Sequence, residues 1–191
     1  MALIAADRAK ERPDEVALRD DRVAWGWSTV NDVLNRVANG LQAAGLGPAR
    51  RVAVFAENSV ETILAHLGGL LAGCSTVPVN FHLNADEVDY ILRDSEAEIL
   101  FVGPENLARG IAAAGGRVRV IAWRCAERPE GVDAWEDWLS GSGADEPPTE
   151  IVPRPNLMYT SGTTGFPKGV DLPPTMFAGG ATLAEHAVNL Q

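Results

Sequence analysis

Lysine is nearly missing from this chain: of 16 basic residues only Lys10 and Lys168 are lysines, so arginine is the rule and each lysine stands out. Cysteine is as scarce. Cys74 and Cys125 lie far apart, form no C-x-x-C pattern and have no zinc spacing, so two free, buried thiols in a reducing cytoplasm are expected. An excess of positive charge is also absent. A formal net charge of −10 would repel nucleic-acid phosphates over most of the surface, which argues against a nucleic-acid partner. A small anionic ligand would then be held by local amides and individual cations rather than by the overall field. No secretory leader is expected, because Asp7, Arg8, Lys10 and Glu11 follow directly on the first six residues. One run lacks charge altogether: residues 62–85 contain no Asp, Glu, Lys or Arg over 24 positions. It is interrupted by Gly68, Gly69, Gly73, Pro78 and Asn80, so it reads as a buried helix end and a strand rather than a transmembrane segment.

Against these absences stands one dense stretch, YTSGTTGFPKGV at residues 159–170. A short apolar strand, Leu157 to Tyr159, opens into a turn with three glycines, four hydroxyl side chains and one of the two lysines. Gly162, Gly165 and Gly169 allow backbone N–H groups to converge on an anion. Thr160, Ser161, Thr163 and Thr164 add hydroxyl donors, and Lys168 adds a mobile positive charge. A solvated surface turn has no need of lysine where arginine is the rule. The stretch is not a Walker A loop, since Pro167 and Gly169 flank Lys168 where that pattern needs Gly before and Ser or Thr after.

The string resembles, nearly residue for residue, the phosphate-binding signature of the adenylate-forming superfamily, which includes acyl-CoA synthetases and the adenylation domains of peptide synthetases. The resemblance extends in weaker form to RVAVFAENSVETILAHLGGLLAG at residues 51–73 and the TVPVN that follows. It implies an N-terminal part of an acyl-CoA ligase, truncated before the C-terminal domain and unable to complete catalysis alone. The implied parent uses ATP, Mg2+ and coenzyme A to convert a fatty or related carboxylic acid to acyl-AMP and then to the thioester. A carrier-protein ligase, an adenylation domain or a non-catalytic nucleotide-binding module would share the turn. Carried over by the resemblance, Ser161, Gly162, Thr163, Thr164, Gly165 and Lys168 would hold the β- and γ-phosphates, with Thr160 also placing magnesium. Many relatives continue with a Thr-His pair, whereas this chain has Asp171, Leu172, Pro173 and Pro174.

Taken in order, the chain predicts a helix over residues 2–11, then two short strands in which Val23, Trp25 and Trp27 alternate. Asp20 and Asp21 at their turn read as solvated acids. A helix with Val30, Val33, Leu34, Val37 and Leu41 on one face follows. Strands at 51–55, 76–80, 98–102 and 118–123 alternate with helices, two of them announced by capping signatures at Asn58/Glu61 and Asn84/Glu87. His66 and His82 fall within this unit without a third ligand in register, so packed or rim histidines are expected rather than a metal site. The alternation predicts an α/β fold with a mainly parallel sheet flanked by helices. After a short helix at 135–139, the Gly, Pro and acid content of residues 140–155 reads as a linker. The expected organisation is therefore 1–139 as an N-terminal subdomain, 140–155 as linker, and 156–191 as the start of a second subdomain carrying the turn. Its strands would leave an apolar edge that invites self-association.

Overall fold

In the computed structural model, which describes residues 2–48, 50–127, 129–160, 167–173 and 180–189, side-chain alternation along the strands decides the layering. Strand β3 (Arg51–Phe55) sends Val52 and Val54 to one face and Ala53 and Phe55 to the other. Strand β5 (Ile99–Val102) divides Ile99 and Phe101 from Leu100 and Val102 in the same way. Strands apolar on both faces must be covered on both, which is the condition of a parallel sheet. Strands β4 (Ser75–Val79), β6 (Arg119–Ala122) and β7 (Val132–Ala134) complete a five-stranded sheet of order β4-β3-β5-β6-β7, parallel throughout.

Helices α1 (Ala2–Glu11), α2 (Trp27–Ala43), α3 (Val60–Leu71) and α6 (Trp135–Ser140) cover one face. Helices α4 (Ala85–Asp94) and α5 (Leu107–Ala114) cover the other. The chain leaves β3 toward β4 over one face and returns over the other toward β5, as right-handed crossovers require. Trp135 and Trp138 of α6 pack on Phe101 and on each other, and Trp123 packs on Trp135, at ring separations of 5.5–5.8 Å. Cys74 is buried and free, its thiol pushed up to about 12 by burial and by Glu98; Cys125 is free and half-buried.

The structure corrects four readings. Trp27 does not continue a strand: β1 (Val16–Arg19) pairs with β2 (Ala24–Gly26), and α2 begins at Trp27. The carbonyls of Glu15 and Pro13 accept the Trp27 and Ser28 N–H groups, so backbone from a neighbouring turn satisfies donors that no side-chain cap serves. Strand β7 is an addition, too short at three residues to show any alternation. Helix α3 is capped by Ser59, whose Oγ accepts the Thr62 N–H at 3.1 Å, and not by Asn58. Asp20 is not a solvated acid. Its carboxylate accepts N–H bonds from Arg22, Val23 and Val60 and pairs with Arg124 at 2.5 Å. Arg124 also holds Glu61 at 2.8 Å, and the Asp20, Glu61 and Arg124 side chains are only 11%, 5% and 15% exposed. Burial alone would raise the Asp20 pKa, but the N–H donors and the guanidinium outweigh it and hold this carboxyl well below the usual range.

The Asn84/Glu87 expectation holds in full: each side chain bonds the other's backbone N–H, at 3.0 and 2.9 Å. In the stretch expected to be a linker, residues 142–146 lie along α2. Asn39 donates to the Gly143 and Asp145 carbonyls, Asn35 to the Ala144 carbonyl, and Arg36 to the Ser142 carbonyl at 2.9 Å. Farther on, the Thr149 and Ile151 carbonyls accept from the first turn of α7 (Leu183–Asn189).

Candidate phosphate-binding site

Leu157 is where the body of the fold meets the turn. Its N–H donates to the Thr76 carbonyl on the sheet edge at 2.9 Å, and its side chain is buried in the core beneath α4. The chain then enters β8 (Met158–Thr160), which pairs antiparallel with β9 (Lys168–Val170) in the register Met158↔Val170, Tyr159↔Gly169, Thr160↔Lys168. The Tyr159 ring lies over Gly169, where an added Cβ would come within 3.2 Å of the ring. The two ends of the glycine turn are thereby brought side by side.

Of the residues expected to bind phosphate, Thr160 and Lys168 stand opposite one another, both exposed, with the Thr160 hydroxyl 3.5 Å from the Lys168 carbonyl. Ser161, Gly162, Thr163, Thr164 and Gly165 lie outside the described residues. His66 is on α3 and His82 is exposed beside Phe81, 4.0 Å away between ring centroids. Among the described residues no three His, Cys, Asp or Glu side chains are grouped to hold a cation. Thr160 offers one hydroxyl, so these side chains do not by themselves make a magnesium site.

Four polar contacts seat the ribbon, and none was foreseen from the sequence. The Tyr159 hydroxyl donates to Asp94 at 2.6 Å, and the Tyr90 hydroxyl donates to the Pro167 carbonyl at 3.2 Å. Arg51, at the start of β3, pairs with Asp171 at 3.1 Å, so that carboxylate ties the chain just after β9 to the body of the fold. Below the ribbon, Thr76 donates its one hydroxyl proton to Asn156 at 2.5 Å, which leaves His66 Nδ1, 3.2 Å away, as donor to the Thr76 oxygen. Burial drives the His66 pKa down to about 4, so the ring is neutral at pH 7. Burial, then the bond to Asp94, push the Tyr159 phenol up, which keeps it protonated and donating. A Tyr and an Asp four residues apart on one helix were the available signal in the sequence, yet tyrosines on an amphipathic helix are usually packing residues.

The site is thus a five-stranded parallel sheet covered on both faces by helices, with an antiparallel ribbon that presents the exposed Thr160 and Lys168. The AMP-binding enzyme model matches residues 5–180, and the chain belongs to that family. It is 34% identical over 172 residues to tyrocidine synthase 3 of Brevibacillus parabrevis, covering 87% of this chain and 2% of that protein. It is 36% identical over 149 residues to the long-chain-fatty-acid–CoA ligase FadD13 of Mycobacterium tuberculosis, covering 75% of this chain and 28% of that one. The crystal structure of the anthranilate CoA ligase AuaEII in complex with anthranoyl-AMP superposes with a TM-score of 0.76 at 26% identity, over 92% of this chain and 35% of that chain. The chain thus spans about a third or less of each of these three proteins, and it corresponds to the N-terminal α/β portion of the adenylate-forming fold.

Proposed function

We propose that this chain forms the ATP-phosphate-binding part of an acyl-CoA ligase acting on a fatty or related carboxylic acid. The observation that carries the reading is the ribbon register: it sets Thr160 across from Lys168, one of only two lysines in the chain, at the mouth of the TSGTTG turn. In the reaction proposed for the whole enzyme, a substrate carboxylate oxygen attacks the α-phosphorus of MgATP. The bond to pyrophosphate breaks and acyl-AMP forms. The sulfur of coenzyme A then attacks the acyl carbon, and AMP leaves. The part assigned to these residues is to hold the β- and γ-phosphates by Ser161, Gly162, Thr163, Thr164, Gly165 and Lys168, with Thr160 beside the metal carried by the nucleotide. Their work is positioning and charge stabilisation, which is most of what a phosphate transfer asks of a protein. In a chain as acidic as this one, an exposed lysine beside the turn is the feature that can reverse the local sign.

The likeness to tyrocidine synthase 3 supports a second reading, in which the acyl group passes from acyl-AMP to a carrier-protein thiol instead and AMP leaves. Calorimetric titration with MgATP tests the part common to both. The wild-type chain is expected to bind and Lys168→Ala to lose at least about tenfold in affinity, the scale of a charge-assisted contact. Equal binding by the two would overturn the assignment. Carboxylate-dependent pyrophosphate release is expected to be absent from these 191 residues alone, and measurable turnover would show that they carry more of the chemistry than proposed.

A further inference from the structure

Both tyrosines of the chain, Tyr90 and Tyr159, place their hydroxyls at one junction, between helix α4 and the β8–β9 ribbon. We infer that Tyr90 and Asp94 are positioning residues for Lys168: through the ribbon they fix the direction in which the Lys168 side chain leaves the backbone. The inference rests on the proposed phosphate-binding role of that lysine.

The ribbon has little means of orienting itself. Its strands have three residues each, β9 is exposed throughout, and Met158 and Val170 are 46% and 40% exposed. Helix α4, in contrast, is a firm platform. Its first turn is closed by the reciprocal Asn84/Glu87 cap, and Val88, Ile91 and Leu92 are fully buried against the sheet. Tyr90 and Asp94 stand four residues apart on this helix, hence one above the other on the same face. Each takes hold of a different strand: Asp94 accepts from Tyr159 on β8, and Tyr90 donates to Pro167 at the entry to β9. A ribbon held on both strands cannot slide or roll on the helix without breaking one of the two bonds.

The Pro167 contact is the more telling. Proline has no N–H and a fixed φ, so its carbonyl is the one backbone polar group through which that residue can be oriented. The carbonyl lies in the same peptide plane as the Lys168 nitrogen. Holding the oxygen therefore sets the plane from which the Lys168 Cα–Cβ bond departs. A phenol at 3.2 Å does this from a helix that belongs to the core. The Tyr90 ring packs against the core while its hydroxyl reaches that carbonyl, so the grip is anchored in the body of the fold.

The test uses the purified chain, MgATP as the probe, and the variants Tyr90→Phe, Lys168→Ala and their combination. Tyr90→Phe keeps the ring and removes only the hydroxyl. It is expected to weaken MgATP binding about fivefold, the worth of one hydrogen bond, without lowering the unfolding temperature. Because Tyr90 acts through Lys168, the double variant should bind no more weakly than Lys168→Ala alone. Unchanged affinity in Tyr90→Phe, or additive losses in the double variant, would overturn the inference. Hydrogen exchange supplies a readout that does not depend on nucleotide. Amides of residues 168–170 should exchange about fivefold faster in Tyr90→Phe, while those of β3 and β5 stay unchanged. Wild-type chain that fails to bind MgATP would remove the phosphate-binding reading, and the exchange comparison alone would then decide whether Tyr90 holds the ribbon. Equal exchange in both proteins would show that it does not.

Discussion

The five-stranded sheet and the two-stranded ribbon are both β structure, yet they are held in opposite ways. In the sheet, β3 and β5 are flanked on both sides by parallel partners and on both faces by apolar clusters, so each residue is fixed by several neighbours at once. In the ribbon each strand has one partner, and its place on the body depends on individual side chains: Tyr90, Asp94, Arg51 and Thr76 with Asn156. Burial makes the sheet stable and chemically silent. Exposure leaves Thr160 and Lys168 open to a ligand and makes their geometry dependent on a few polar bonds. Sites of chemistry on short segments positioned by a rigid scaffold follow the same division in other folds.

Breaking the body should be costly and global. Replacing Arg124 by methionine would leave Asp20 and Glu61 buried without a counter-charge, and urea unfolding should show a loss of about 3–5 kcal/mol. A loss below about 1 kcal/mol would mean that these charges behave as a surface pair. Next in size is the seam under the ribbon. The folded His66 pKa of about 4 lies below its ordinary 6.5, so the unfolded chain takes up the proton first as pH falls. The stability from this neutral, buried ring is complete above pH 6.5 and should decline by about 2–3 kcal/mol as pH falls toward 4. His66→Gln should flatten that part of the curve, and an unchanged slope would exclude His66 as its source. Asp20 acts lower: its contribution is present above the ordinary carboxylate range and is lost as pH drops below it.

A smaller effect probes how closely the layers pack. A Cβ on Gly68 would lie 2.3 Å from Val37 Cγ1, across the α2–α3 contact. Gly68→Ala should therefore destabilise by about 1 kcal/mol, the overpacking cost exceeding the gain in helix propensity; a stabilised variant would show that the helices separate freely. The smallest effect belongs to the ribbon. Arg51→Gln breaks a pair whose Asp171 side is 68% exposed, and the unfolding midpoint should move by no more than about 0.5 kcal/mol. A global loss comparable to that of Arg124→Met would collapse the distinction between body and ribbon.

The alternation of strands and helices between residues 51 and 123 was legible because apolar periodicity is strong there, and the Asn84/Glu87 cap because both partners lie within four residues. The strand leading into the glycine turn was legible as well, and Lys168 stood out by its rarity. Asp20 was misread because its four partners come from its own turn, from Val60 and from Arg124, positions that no local pattern links. Trp27 was misread because the groups that start its helix are carbonyls at residues 13 and 15. Strand β7 carries too few residues to register as periodic.

Local order in the chain was enough for the class of fold and for four of the five strands of its parallel sheet, since those depend on residues within one element of each other. Where the β8–β9 ribbon sits, and on what, was settled only in three dimensions. Asp94 meets Tyr159 across 65 positions and Tyr90 meets Pro167 across 77, and contacts of that span exist only once the sheet has formed and brought helix α4 to its edge.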